Sequence, residues 1–324
     1  MLSHSDQPPT YAPPANPWFI FTALLAGSFI TMEAAAFQAP AIPAISKYFG
    51  IPASIAALVS MIYYLALVIG HPICGQLADR FGRKRILTIG LLSFTVSEFL
   101  AAKSPSYELL LVARFLQGAS VACILPVILS YIAYLFPSEK RGMPLGIMVF
   151  TMSFGATTGA VIGGLLIDTF SWRAVYWASG TLSILGLLLT LWKVPETPTT
   201  RAEIKVDKGG IVLLFFTATA LLSAPTMMSR FGLSSAEALS VLGVGIICAF
   251  IMWQVEKRAQ SPVVDTRIMS KRSFFIPCLV YMLFLVVHGG TIYSLSFFIS
   301  DRPGGSASQV GLINTFAFGT SMGF

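Results

Sequence analysis

GQLADRFGRKRIL, residues 75–87, separates two apolar runs, Ser54 to Gly75 and Ile86 to Ala102, and its reading decides the fold. A helix needs roughly 20 predominantly apolar residues to cross a hydrocarbon core of about 30 Å. The two flanking runs are of that order, and the link between them crowds Arg80, Arg83, Lys84 and Arg85 into one short turn. Short loops rich in Lys and Arg mark the cytoplasmic side of a membrane protein, so the stretch reads as an inward loop joining two spans.

The same alternation continues in both directions. Apolar runs fall at Trp18 to Phe37, Leu109 to Leu135, Leu145 to Ile167, Ala174 to Lys193, Gly210 to Met228, Ala236 to Val255 and Phe274 to Ser300. A tenth begins near Val310, and the sequence stops inside it at Phe324. The expected fold is all-α: a polytopic transmembrane helix bundle of nine complete spans and part of a tenth, incomplete at its carboxy-terminal end.

Composition agrees. The 324 residues are 55% hydrophobic and 11% charged, against about 25% charged in a typical soluble domain, and the mean hydropathy is +0.77. A net charge of +7 would suggest nucleic acid in a soluble protein. Here fifteen of the 21 Lys and Arg fall in alternate loops, five (Lys47, Lys103, Arg173, Arg230 and Arg302) in the opposite loops, and Arg114 lies within a span. That asymmetry encodes topology with the amino terminus in the cytoplasm, and it argues against a nucleic-acid partner. The four cysteines, Cys74, Cys123, Cys248 and Cys278, have no CxxC pairing or metal-ligand spacing and read as buried small apolar residues.

The chain divides accordingly. Residues 1–17 are a Pro-rich cytoplasmic tail without the pattern of a cleavable signal. A six-helix bundle is expected at 18–193, a polar linker at 194–209, two further spans at 210–255, a cytoplasmic loop at 256–273, and the start of a second bundle at 274–324.

Several motifs carry a resemblance. Gly75, Leu77, Ala78, Asp79, Arg80, Gly82, Arg83, Lys84 and Leu87 fit GxLaDrxGrkxxl, which resembles the loop between helices 2 and 3 of the major facilitator superfamily. Physically, Gly75 would allow close helix approach, Gly82 a tight reversal, and Asp79 could face a helix amino terminus while the arginines pair with carboxylates or lipid phosphate. Such contacts would act as a cytoplasmic gate.

The fourth span contains LLLVARFLQGASVA, similar to the family's lxxxRxxqGxgaa through Arg114, Gln117 and Gly118. These three lie at i, i+3 and i+4 and share one helix face. An intramembrane arginine must be paired or hydrated and is a functional candidate by default; the resemblance implies a role in proton coupling. Two acids compete to partner it. Glu33 lies about 22 Å along the first span, Glu98 about 18 Å along the third, and Arg114 about 10 Å into the fourth from outside, so all three occupy the outer half. Because helices 1 and 4 line the cavity of relatives, the resemblance favours Glu33, with Glu98 expected to snorkel outward. Withdrawal from water disfavours the charged form of a carboxyl, which suits a proton carrier.

In the fifth span, GATTGAVIGGLL resembles the antiporter pattern gxxxGPxxGG through Gly155, Gly159, Gly163 and Gly164, with Ala160 in place of the proline. Glycines spaced by four open a groove for a neighbouring helix. The two spans at 210–255 and the loop after them resemble the extra helices of 14-helix drug:proton antiporters. That resemblance implies a plasma-membrane exporter of amphipathic compounds in exchange for protons, with no enzymatic activity, cofactor or metal, monomeric when complete. Cavity-lining candidates are Gln38, Tyr63, Tyr64, Met148, Met152 and Phe154, soft enough for varied apolar ligands. The motifs do not select a substrate, so a carrier of a sugar, metabolite or siderophore competes with export, as does a truncated membrane protein that transports nothing.

Overall fold

The computed structural model describes residues 16–197, 208–232, 235–259, 262 and 266–319. The tail at 1–15, most of the linker and the end of the tenth span lie outside the described residues. Those described form α1 (Pro17–Ala36), α2 (Gln38–Phe49), α3 (Ala53–Ala56), α4 (Leu58–Phe81), α5 (Arg83–Ala102), α6 (Tyr107–Ala122), α7 (Leu125–Leu135), α8 (Gly142–Thr169), α9 (Trp172–Lys193), α10 (Lys208–Phe231), α11 (Ala236–Glu256), α12 (Thr266–Met269), α13 (Arg272–Ser300) and α14 (Ala307–Gly319).

Eight stretches among the described residues are long and apolar enough to cross a membrane: Pro17–Ala36, Ala53–Phe81, Arg83–Ala102, Tyr107–Leu135, Gly142–Thr169, Trp172–Lys193, Ala236–Glu256 and Arg272–Ser300. The chain is thus an all-α transmembrane bundle. The seventh expected span is helical over 24 residues as α10.

Proline explains two breaks inside spans. A proline ring displaces the carbonyl four residues back and supplies no N–H to bond it. Pro40 does this to Ala36, the last residue of α1, and the chain bends at Phe37 before continuing to Phe49 as α2. Pro126 does the same to Ala122, the last residue of α6, and α7 follows after Cys123 and Ile124. The first span therefore runs well past its expected end at Phe37. Without a proline at position 160, α8 stays unbroken over 28 residues.

α1 packs on α8 and α9, α4 on α6, α5 on α6 and α9, α10 on α11 with an edge against α4, and α14 on α8. Lipid tails are as apolar as leucine, so association in a bilayer depends on close packing and interhelical hydrogen bonds rather than on escape from water. The closest approaches are made at glycines. A Cβ on Gly155 would lie 2.6 Å from the Phe29 carbonyl oxygen, one on Gly159 2.6 Å from that of Glu33, and one on Gly163 2.6 Å from Phe37 Cβ. These three form the groove that receives α1. On the other side Gly118 meets the Tyr63 backbone, and a Cβ at Gly70 would be 2.6 Å from that of Ala122.

Gly75 is different: a Cβ there would meet nothing within 4 Å. It lies one residue, and so about a quarter-turn, round α4 from Cys74, which faces the bundle, so within the described residues it makes no close helix contact. The cysteine expectation also needs correction. Cys74 and Cys123 are joined as a disulfide with Cα atoms 4.9 Å apart, while Cys248 is half-buried and Cys278 exposed. A sequence separation of 49 hides a pairing that exists only because α4 crosses the α6–α7 break.

Gly159→Leu is expected to wedge α1 off α8, since the added side chain meets backbone that cannot rotate away, and overpacking of this kind costs about 1–3 kcal/mol or more. Thermal denaturation in detergent should show a lower melting temperature for that variant. Gly146→Ala, in the same helix but facing open space, should leave it unchanged or raised.

Candidate coupling site and gate

Arg114 is fully buried, and its surroundings come from α4, α5 and α6. Its Nε donates to the Val59 carbonyl on α4 at 3.3 Å, Nη1 donates to Gln117 Oε1, and Gln117 Nε2 in turn donates to Glu98 Oε1 on α5. The guanidinium carbon stands 4.5 Å from the centre of the Tyr63 ring. Arg114 and Gln117 share a helix face, so one side chain can hand the interaction to the next across the α5–α6 interface.

Glu98 is completely buried. The expectation that it snorkels outward is wrong because α5 is held between α6 and α9, which turns position 98 into the bundle. The expectation that Glu33 is the direct partner of Arg114 also changes: the continuous path from Arg114 runs through Gln117 to Glu98. Glu33 lies close enough to Glu98 for the two to repel when charged, and Ser179 of α9 stands beside both. Glu33 Oε2, Glu98 Oε2, Arg114 Nη2 and Tyr176 Oη are buried with no hydrogen-bond partner. Polar atoms left unpaired in a dry interior are costly. Such a cluster is fit to exchange protons or hold water.

The expected gate is ordered by a residue that sequence reasoning missed. Gly82 has φ +100°, which an L side chain rarely adopts, and reverses the chain between α4 and α5. A Cβ there would lie 2.6 Å from the Glu196 carboxylate, which accepts the Lys84 backbone N–H at 3.1 Å. Glu196 thus satisfies an otherwise unpaired amide in the first turn of α5, where the helix dipole favours an anion. Asp79 pairs with Arg83, the first residue of α5, at 3.7 Å. Lys84 Nζ donates to the Leu191 carbonyl at 3.1 Å, fastening the loop to the end of α9, and Tyr131 Oη of α7 donates to the Pro195 carbonyl at 2.8 Å, holding the segment that carries Glu196. Arg80 stacks on Phe81, 5.1 Å from its ring centre. Nothing in VPETP, residues 194–198, marked Glu196 beforehand.

The six lining candidates differ in exposure. Gln38, Tyr63 and Met148 are buried, Met152 is half-buried, and Tyr64 and Phe154 are exposed. Gln38 Oε1 accepts from Ser60 Oγ at 2.9 Å and ties α2 to α4. Tyr63 covers Arg114, and Phe154 stacks on Phe150. The grooves on α13, around Val286 and Phe298, and on α11, around Phe250 and Gln254, are lined by other residues.

The family model described as Major Facilitator Superfamily matches residues 24–324. Multidrug resistance protein Stp of Mycobacterium tuberculosis is 28% identical over 276 residues, 84% of this chain and 51% of that protein. Multidrug export protein EmrB of Haemophilus influenzae is 28% identical over 278 residues, 84% of this chain and 54% of that protein. The chain therefore spans about half the length of these relatives. A crystal structure of a POT family transporter in complex with a thioalcohol-conjugated peptide matches with a TM-score of 0.63 at 17% identity, covering 91% of this chain and 66% of that one, a likeness of fold. With a bundle of membrane-spanning helices, an intramembrane arginine cluster and a family match over nearly its whole length, this chain belongs to the Major Facilitator Superfamily.

Proposed function

We propose that the chain belongs to a secondary active transporter that exports amphipathic organic compounds in exchange for protons by alternating access. The observation that carries this reading is the buried cluster of Arg114, Gln117 and Glu98 with half-buried Glu33 beside it: intramembrane charges are rare and usually mark ion or proton paths. Relatives named for multidrug resistance and export support the substrate class. Arg114 serves as the fixed cation, Glu33 and Glu98 as the carboxyls that take up and release a proton, and Ser179 as the hydroxyl between them. The Gly82 loop acts as a gate on the cytoplasmic side. In this reading the amino terminus is cytoplasmic, the membrane is the plasma membrane, α1–α9 form one half, α10 and α11 are the inserted pair, and α13 and α14 open a second half. Substrate binds between the halves near the midplane, and the complete protein works as a monomer.

Everted membrane vesicles carrying the protein should accumulate a cationic dye when a proton gradient is imposed. Arg114→Ala and Glu33→Gln should each reduce accumulation to the level of vesicles without the protein, with unchanged insertion. Glu33→Gln should keep dye exchange in the absence of a gradient, since only the proton site is lost. Wild-type accumulation by either variant removes that residue from the mechanism, and no accumulation by the native protein favours a carrier of another solute. Gly82→Ala should slow accumulation severalfold without loss of insertion, because the new Cβ strains the turn and pushes against the Glu196 carboxylate.

A further inference from the structure

The end of α8 opposite the Gly82 loop carries a contact that neither the buried cluster nor that loop uses. Asp168, in the last turn of α8, accepts the backbone N–H of Ala307 through Oδ1 at 2.8 Å and that of Ser308 through Oδ2 at 2.8 Å. These two amides open α14, and the first amides of a helix have no partner within it. The carboxylate supplies both acceptors and lies at the positive end of the helix dipole. Ser306 Oγ accepts from Gln309 N–H at 3.3 Å and shares a hydrogen bond of 2.9 Å with Ser308 Oγ, so the turn that presents the amides is itself ordered.

Beside this contact the two helices meet backbone to backbone. A Cβ on Gly164 would lie 2.5 Å from the Ala307 carbonyl oxygen and 2.8 Å from Ser308 Cα, and one on Gly311 would fall on the Ala160 carbonyl. Asp168 is exposed, so its carboxylate and the two amides can each take up water once separated. The contact is therefore strong when closed and cheap to release.

We propose that Asp168 is a releasable latch: by gripping the amino terminus of α14 it holds shut the mouth opposite the Gly82 loop, and it lets go when that mouth opens. The proposal rests on the alternating-access reading, but its readout needs no substrate.

The test is a distance measurement in proteoliposomes. Spin labels at Phe170→Cys and Gln309→Cys, both exposed, report the α8–α14 gap, with Cys248 and Cys278 replaced by Ser and the Cys74–Cys123 pair left intact. Pulsed electron paramagnetic resonance should resolve a major short and a minor long distance in the native background. Asp168→Asn keeps the shape but turns an N–H toward an N–H. It should raise the long-to-short ratio about tenfold, equivalent to about 1.4 kcal/mol. Ala307→Pro removes one amide at the first helical position, where proline is tolerated, and leaves Asp168 in place; it should shift the ratio in the same direction. Unchanged distributions in both variants, or a single short distance in every sample, overturn the latch. A shift in protein that moves no dye leaves the latch standing and sinks only the export reading.

Discussion

A guanidinium cut off from water has to find its partners inside the protein, and the rest of the amino-terminal bundle is arranged around that need. Arg114 cannot reach the headgroups from its place in α6, so α4 supplies a carbonyl and an aromatic face, and Gln117 passes the interaction to Glu98. Burying opposite charges in low dielectric gains little net stability, because the desolvation of each ion offsets their attraction. Buried charges of this kind are rare within a membrane bundle, which makes the cluster a functional candidate.

Glycines make that arrangement possible. Residues 155, 159 and 163 bring α8 against the backbone of α1 next to Glu33, and Gly118 brings α6 against Tyr63, so the same close contacts that assemble the bundle set the spacing of the polar cluster. A bulkier residue at either seam would move a charged group as well as a helix. Stability and chemistry are coupled here through backbone distance rather than through shared side chains.

The two ends of the bundle use one physical device in different ways. On the Gly82 side Glu196, just beyond α9, caps α5; on the opposite side Asp168 caps α14. Both exploit amides that a helix cannot satisfy itself. Each joins elements more than a hundred residues apart in the chain.

The sequence by itself determined that this is a membrane protein with helices at these places: the apolar runs are as long as a bilayer requires, the basic loops alternate, and the motif glycines and Arg114 stand at fixed intervals on single helices. These are local or periodic properties, and periodicity survives without a partner. Tertiary structure alone decided that Glu98 faces inward, that Glu33 is not the direct partner of Arg114, that Gly75 contacts nothing nearby, that Cys74 meets Cys123, and that Glu196 and Asp168 cap helices distant in the chain. Each of those facts depends on which neighbour a helix face meets. One sequence without its fold carries no record of helix rotation, because nearly every face of a membrane helix is apolar and the pattern that would orient it in water is missing.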